Sequence, residues 1–337
     1  MKQHIIRNIV LIVIISIQCI IAQVNLKKTG QSTMNFLLVG TSPKASALGG
    51  AYTSLGVGSE SMFYNPAGMT QMQGDFNINV NYTQWIADIN YLSGGISWNL
   101  DQYGVVGFNL LTVDYGEING TSLISESESE LYPLGYKDDG QVSNVGAYCI
   151  GVSYAKPITE EFSVGGNIKL AGQNLGVSLL STGSKNNNAT KFVFDVGVRY
   201  QTGFKGFVFG MMIRNFSTDL KREEIEEQLP LFFSLGASIN LMDIVDEEIS
   251  KDNSVLFAID FLHQNNYSER VNLGIEYMFL NMIALRGGYE TNRDLASWSG
   301  GIGLNTSISD YDLEVNYSYS KFKYFNSVSR VSLIFSF

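Results

Sequence analysis

From Asp75 to the last residue, apolar and polar side chains alternate with period two, run after run. Phe76, Ile78, Val80 and Tyr82 interleave with Asn77, Asn79, Asn81 and Thr83. Phe192, Phe194, Val196, Val198 and Tyr200 alternate against Lys191, Asp195 and Arg199, and Val331, Leu333, Phe335 and Phe337 against Ser332 and Ser336. Successive side chains of a strand point to opposite faces, so each run carries one apolar and one polar face. Fourteen such runs lie near 75–86, 88–100, 103–118, 141–157, 160–177, 190–202, 205–217, 229–241, 253–264, 268–279, 281–291, 297–306, 311–321 and 328–337. The fold class is therefore all-β.

Two architectures use such runs. A soluble sandwich turns the apolar face to a second sheet. A transmembrane barrel turns it to lipid and the polar face to the lumen. Many of the runs reach the ~9–11 residues that a tilted membrane strand needs. Connections alternate between tight ones, such as Asp101–Gln102, Pro157–Thr159 and Gly203–Phe204, and long polar ones at Asn119–Gly140, Ser178–Ala189 and Ser217–Gln228. Short periplasmic turns opposite long external loops are the outer-membrane pattern, which the acidic connection 242–252 interrupts. Tyr82, Trp85, Tyr91, Trp98 and Tyr103, near strand ends, suit an interfacial girdle. The reading is a 14-stranded antiparallel transmembrane β-barrel over 75–337, in contact with outer-membrane lipid. An even strand number puts both barrel termini on the periplasmic side. Phe337, closing an aromatic-rich last strand, reads as the signal for the barrel-assembly machinery.

The amino terminus reads as an address. Lys2 and Arg7 precede an almost wholly apolar Ile9–Ile21, and Ala22 precedes the polar Gln23. That is the layout of a secretory signal peptide over 1–22, and the 14 residues from Ile9 to Ala22 fall short of the ~20 that span a bilayer as a helix. The expected address is the cell outer membrane.

Composition removes several function classes. Net charge is −10, so nucleic acid, bound chiefly through its phosphates, is a poor partner. The two cysteines and two histidines include Cys19 and His4 of the signal peptide. Cys149 and His263 alone form neither a disulfide nor a zinc cage. No P-loop, HExxH or GxSxG occurs, so neither catalysis, a cofactor nor a metal is expected. The acidic runs Glu126–Glu130 and Glu223–Glu227 read as solvated loop surface. LKREEIEEQL at 220–229 could place Leu220, Ile225 and Leu229 on one side of a short helix.

The segment before the barrel, 23–74, reads as a lead-in and plug. Gly49, Gly50, Gly56, Gly58 and the run Asn65, Pro66, Ala67, Gly68 punctuate it too densely for a long helix. The inward-facing charges of the barrel are Lys169, Asp195, Arg199, Asp260, Glu276, Arg286, Glu290, Asp312 and Glu314. Charges in a lumen must pair or stay hydrated, and the expected arrangement is a salt-bridged network holding plug to wall. A polar conduit is the alternative.

FLLVGTSPKASALGGAYTSL followed by MFYNPAGM resembles the N-terminal signature of the PorV/PorQ family of outer-membrane proteins. ALRGGYETNRD at 284–294, SGGIGLN at 299–305 and the closing YSYSKFKYFNSVSRVSLIFSF resemble that family too. The Asn-Pro-Ala element is shared with the more distant FadL-type channels for hydrophobic compounds. Pro43-Lys44-Ala45 stands where many members have Ala-Arg-Ala, and Tyr64 where many have Trp. The resemblance implies a fourteen-stranded barrel, no enzyme activity, and a role in type IX secretion or surface attachment with secreted or surface proteins as partners. The alternative is a FadL-like transporter of hydrophobic small molecules, which requires an apolar pocket near the plug.

Overall fold

The computed structural model describes residues 31–142, 144–180, 183–222, 225–245, 252–293, 297–309 and 311–337. The expected signal peptide and Glu223 lie outside the described residues. Fourteen strands form one closed barrel: β1 (Phe76–Gln84), β2 (Asn90–Asn99), β3 (Val105–Asp114), β6 (Val145–Pro157), β7 (Phe162–Leu180), β8 (Gly183–Gln201), β9 (Val208–Phe216), β12 (Phe232–Asn240), β13 (Asn253–Gln264), β14 (Tyr267–Phe279), β15 (Ile283–Glu290), β16 (Trp298–Ile308), β17 (Tyr311–Ser320) and β18 (Val328–Ser336). Each pairs antiparallel with its neighbours, and β18 pairs with β1 to close the ring. Closure leaves no unpaired edge, which a hydrocarbon environment demands.

The burial pattern is the reverse of a soluble protein's. On β1, Asn79 and Asn81 are 1% exposed, whereas Val80 and Tyr82 between them are about half exposed at 49% and 50%. On β18, Arg330 and Ser332 are buried and Val331 and Leu333 exposed. Ile150, Val152, Ile168, Val196, Ile275, Leu285 and Ile302 carry the same apolar outer face round the ring. In water such a face would be unfavourable at ~25 cal/mol per Å². It is satisfied by hydrocarbon, so the chain is an outer-membrane β-barrel.

The long-loop end departs locally from the expected pattern. Ser178–Leu180 and Gly183–Ala189 are strand and not loop, because β7 and β8 run on as a ladder to Leu180↔Gly183. The described residues of 220–229 are not a helix either. β10 (Leu220–Arg222) pairs with β11 (Ile225–Glu227), burying Leu220 and Leu229 but leaving Ile225 69% exposed. The helical side that would have grouped these three does not form. A second small hairpin, β4 (Asn119–Leu123) with β5 (Tyr136–Gln141), occupies the longest connection. In the girdle, Tyr82, Trp98 and Tyr103 are exposed as expected, but Tyr91 is buried. It shares the inward parity of β2, and Trp85 turns in with it.

Candidate functional site

Residues 33–72 lie against the inner face of the wall. One short helix, α1 (Pro43–Ala47), begins with Pro43 at its first position and the Ser42 hydroxyl accepting the Ala45 amide. Gly49 and Gly50, both at positive φ, turn the chain out of it. The Asn65 side chain caps a 3-10 turn, Pro66–Gln71, by accepting the Ala67 amide.

The wall makes room for this backbone with glycines. A Cβ on Gly288 of β15 would overlap the Gly49 amide nitrogen, and one on Gly165 of β7 would lie 2.5 Å from the Ala67 nitrogen. Gly68 is needed inside the segment itself, where its α-carbon faces the Gly56 carbonyl. The expected plug residues therefore mark where the segment meets the wall or folds on itself.

Polar side chains of the wall then hold the segment. Asp260 of β13 accepts the Tyr52 and Thr53 amides at 3.0 and 2.9 Å and the Thr53 hydroxyl at 2.6 Å. Asn77 of β1 accepts the Ser59 amide at 2.8 Å. Arg214 of β9 donates to the Phe63 carbonyl at 2.6 Å, and Arg330 of β18 to the Gly40 carbonyl at 2.9 Å. Asn65 donates to the Val198 carbonyl of β8 at 3.0 Å. These contacts come from five strands of the ring.

The expected salt-bridged network is only partly of that kind. Lys44 pairs with Glu314 at 3.1 Å, and this does join segment to wall. Glu276, Arg286 and Glu314 form a cluster within the wall, with Arg286 also donating to Asn316 at 2.7 Å. Lys169 and Asp195 pair at 2.7 Å across β7 and β8. Glu290 pairs with Arg293. Arg199 is half-buried near the short-turn end. Asp312, expected in the lumen, is exposed, accepting from Ser307 at 2.5 Å, because its inward parity falls at the mouth of the turn. Hydrogen bonds, many of them made by uncharged hydroxyls and carboxamides, and not ion pairs, make most of these joins.

On the long-loop side of the segment lies a cavity of about 370 Å³. Leu38, Val39, Tyr64, Phe232, Leu262 and Phe322 give it apolar surface. Arg214, Arg270, Arg293 and Arg330 also line it. A second void of about 40 Å³ shares Val39, Gly40, Tyr64 and Arg214 with it. Beside that void, Phe36 and Leu37 pack on Leu111, Val113, Ala147, Cys149 and Val193 of the inner wall. An apolar zone is thus built inside a barrel whose lumen is otherwise polar. The sequence reading named none of these arginines. Strand parity would have shown Arg270, which shares a face with Asn272 and Glu276, and Arg330, which shares one with Ser332.

No family model and no curated protein matches the chain. Solved structures of the same fold do. The toluene transporter TbuX of Ralstonia pickettii has a TM-score of 0.57 at 14% identity, over 89% of this chain and 98% of that one. The CymD monoaromatic hydrocarbon channel has 0.54 at 15%, over 89% and 98%. A FadL homologue of Pseudomonas aeruginosa has 0.51 at 11%, over 88% and 96%. The fold is that of FadL-type outer-membrane barrels. These neighbours correct the expectation of a type IX secretion or surface-attachment role drawn from the PorV/PorQ resemblance. The short glycine and Asn-Pro-Ala elements behind it serve in this chain to seat residues 33–72 against the inner wall.

Proposed function

We propose that this chain is an outer-membrane transporter of small molecules with a hydrophobic body, with residues 33–72 acting as the plug. The observation that carries this reading is the cavity seated directly on the plug, lined by Tyr64, Phe232, Leu262 and Phe322 and adjoining the apolar zone around Phe36 and Leu37. An apolar molecule, or the apolar body of a larger one, gains from such surface. The channels with which the chain shares its fold, for toluene and monoaromatic hydrocarbons, support the same substrate class. The lumen is filled by the segment, so passage requires the plug to shift or a path to open beside it. Uptake of radiolabelled aromatic compounds by Gram-negative cells expressing the barrel tests this. Cells with the barrel should accumulate label faster than cells with the empty vector, and tethering the plug by a Thr53→Cys, Ser234→Cys disulfide should abolish the gain. Equal uptake with and without the barrel would refute the proposal.

A further inference from the structure

The cavity on the plug holds more positive charge than its walls neutralise. Among its described lining residues, four arginines face one acid, Glu290. Glu290 is occupied by Arg293 and stands 4.0 Å from Arg270. Arg214 and Arg330 bond to the backbone carbonyls of Phe63 and Gly40, which bear no charge. The Nε groups of Arg214 and Arg270 are buried without a hydrogen-bond partner. Three positive charges thus remain uncompensated by the described lining of a chain that is acidic as a whole. Guanidinium groups do not escape by deprotonating, and buried charge is costly unless a counter-charge arrives.

The same arginines lie on aromatic faces. Arg330 sits 5.3 Å from the Trp85 ring centre, Arg214 4.4 Å from Phe232 and Arg270 6.0 Å from Tyr267. A stacked guanidinium keeps its N–H edge free for the oxygens of a carboxylate or sulfonate. The rings and arginine planes together offer flat surface to a flat ligand. We propose that the cavity selects an aromatic compound bearing two or more acidic groups. The inference rests on the transport reading and narrows it. A neutral hydrocarbon would bring no counter-charge to the three arginines, and a single-headed fatty acid only one.

Trp85 provides the test, since it touches Arg330 and only two other tryptophans exist. In a Trp98→Phe, Trp298→Phe background, the detergent-solubilised barrel is titrated with benzene-1,3,5-tricarboxylate, benzoate, decanoate and toluene. The tricarboxylate should change Trp85 emission saturably, with a Kd at least tenfold below that of each other ligand. Arg270→Met should weaken it at least tenfold in protein whose heat-modifiable gel mobility shows a folded barrel. Raised salt should weaken the tricarboxylate but not toluene, a comparison that needs no arginine variant. If toluene or benzoate binds as tightly as the tricarboxylate, the inference fails while the transport reading stands. If none binds and expressing cells take up none of the four, both fail.

Discussion

Asp260 holds Thr53 by both its amide and its hydroxyl, at 2.9 and 2.6 Å, on one carboxylate oxygen. The pairing fixes the middle of segment 33–72, the proposed plug, to β13, 207 residues away in the chain. Removing the carboxylate strands buried donors, and each stranded donor costs about 1–3 kcal/mol. Asp260→Ala should therefore loosen the plug more than Asp260→Asn, which keeps an acceptor. With a reporter cysteine at Ser54, buried in the wild type, thiol labelling should quicken at least tenfold in the alanine variant. An unchanged labelling rate would refute the anchoring role.

Gly288 and Gly287 are neighbours on β15 with opposite duties. A methyl group on Gly288 meets the backbone of Leu48 and Gly49, which has nowhere to move, whereas one on Gly287 meets only the Ile275 side chain at 3.8 Å. Gly288→Ala should displace the plug and lower the melting temperature. Gly287→Ala should leave both near wild type. Thermal melts of the two purified variants, read side by side, check the contrast, and equal melts would show that the close approach is not restrictive.

The barrel was legible because its signal is local and repeated. The period-two runs placed thirteen of the strands to within a few residues, and the inward face of β1 could be read directly from Asn77, Asn79, Asn81 and Thr83. The stretch Ser178–Ala189 was misread because its polar residues suggest a loop, while β7 and β8 need only continued pairing there, not hydrophobicity. The hairpin at 220–229 was misread because the spacing of Leu220, Ile225 and Leu229 also fits a helix. The fit of plug to wall was not legible. It depends on which wall glycine faces which plug residue, a matter of register across more than 200 residues. The arginine cavity was legible in part, since parity marks Arg270 and Arg330, but only the closed ring brings them beside Arg214.

Phe337 sits on the seam that closes the ring. Its carbonyl accepts the amides of Asp75 and Phe76 at 2.8 Å each, its own amide donates to Phe76 at 3.0 Å, and its ring stacks on Phe76 at 5.3 Å. Deleting it removes these bonds and, on our reading, the assembly signal. The folded, heat-modifiable fraction in outer-membrane preparations should fall severalfold, while Phe337→Tyr should keep it near wild type. Wild-type levels after the deletion would show that the residue is dispensable.

Glu60 should give the proposed plug a pH dependence. It lies in the segment between α1 and β1, outside the spanning strands, 2% exposed, with the Tyr52 hydroxyl donating to it at 2.6 Å. Burial raises its carboxyl above the ordinary value, and the opposing pull of Lys44, Ser42 and Tyr52 does not cancel that rise. The docked state therefore holds its proton more tightly than the unfolded chain does. Its contribution to stability is fully present below the ordinary glutamate value of about 4.3 and is lost as pH rises through the elevated one. Glu60→Gln mimics the protonated form and lacks this loss. The melting temperature of the variant minus that of the wild type should accordingly grow from pH 4 to pH 8, with other titrating groups cancelling in the difference. If the two curves run parallel over that range, the burial of Glu60 does not couple to the stability of the plug.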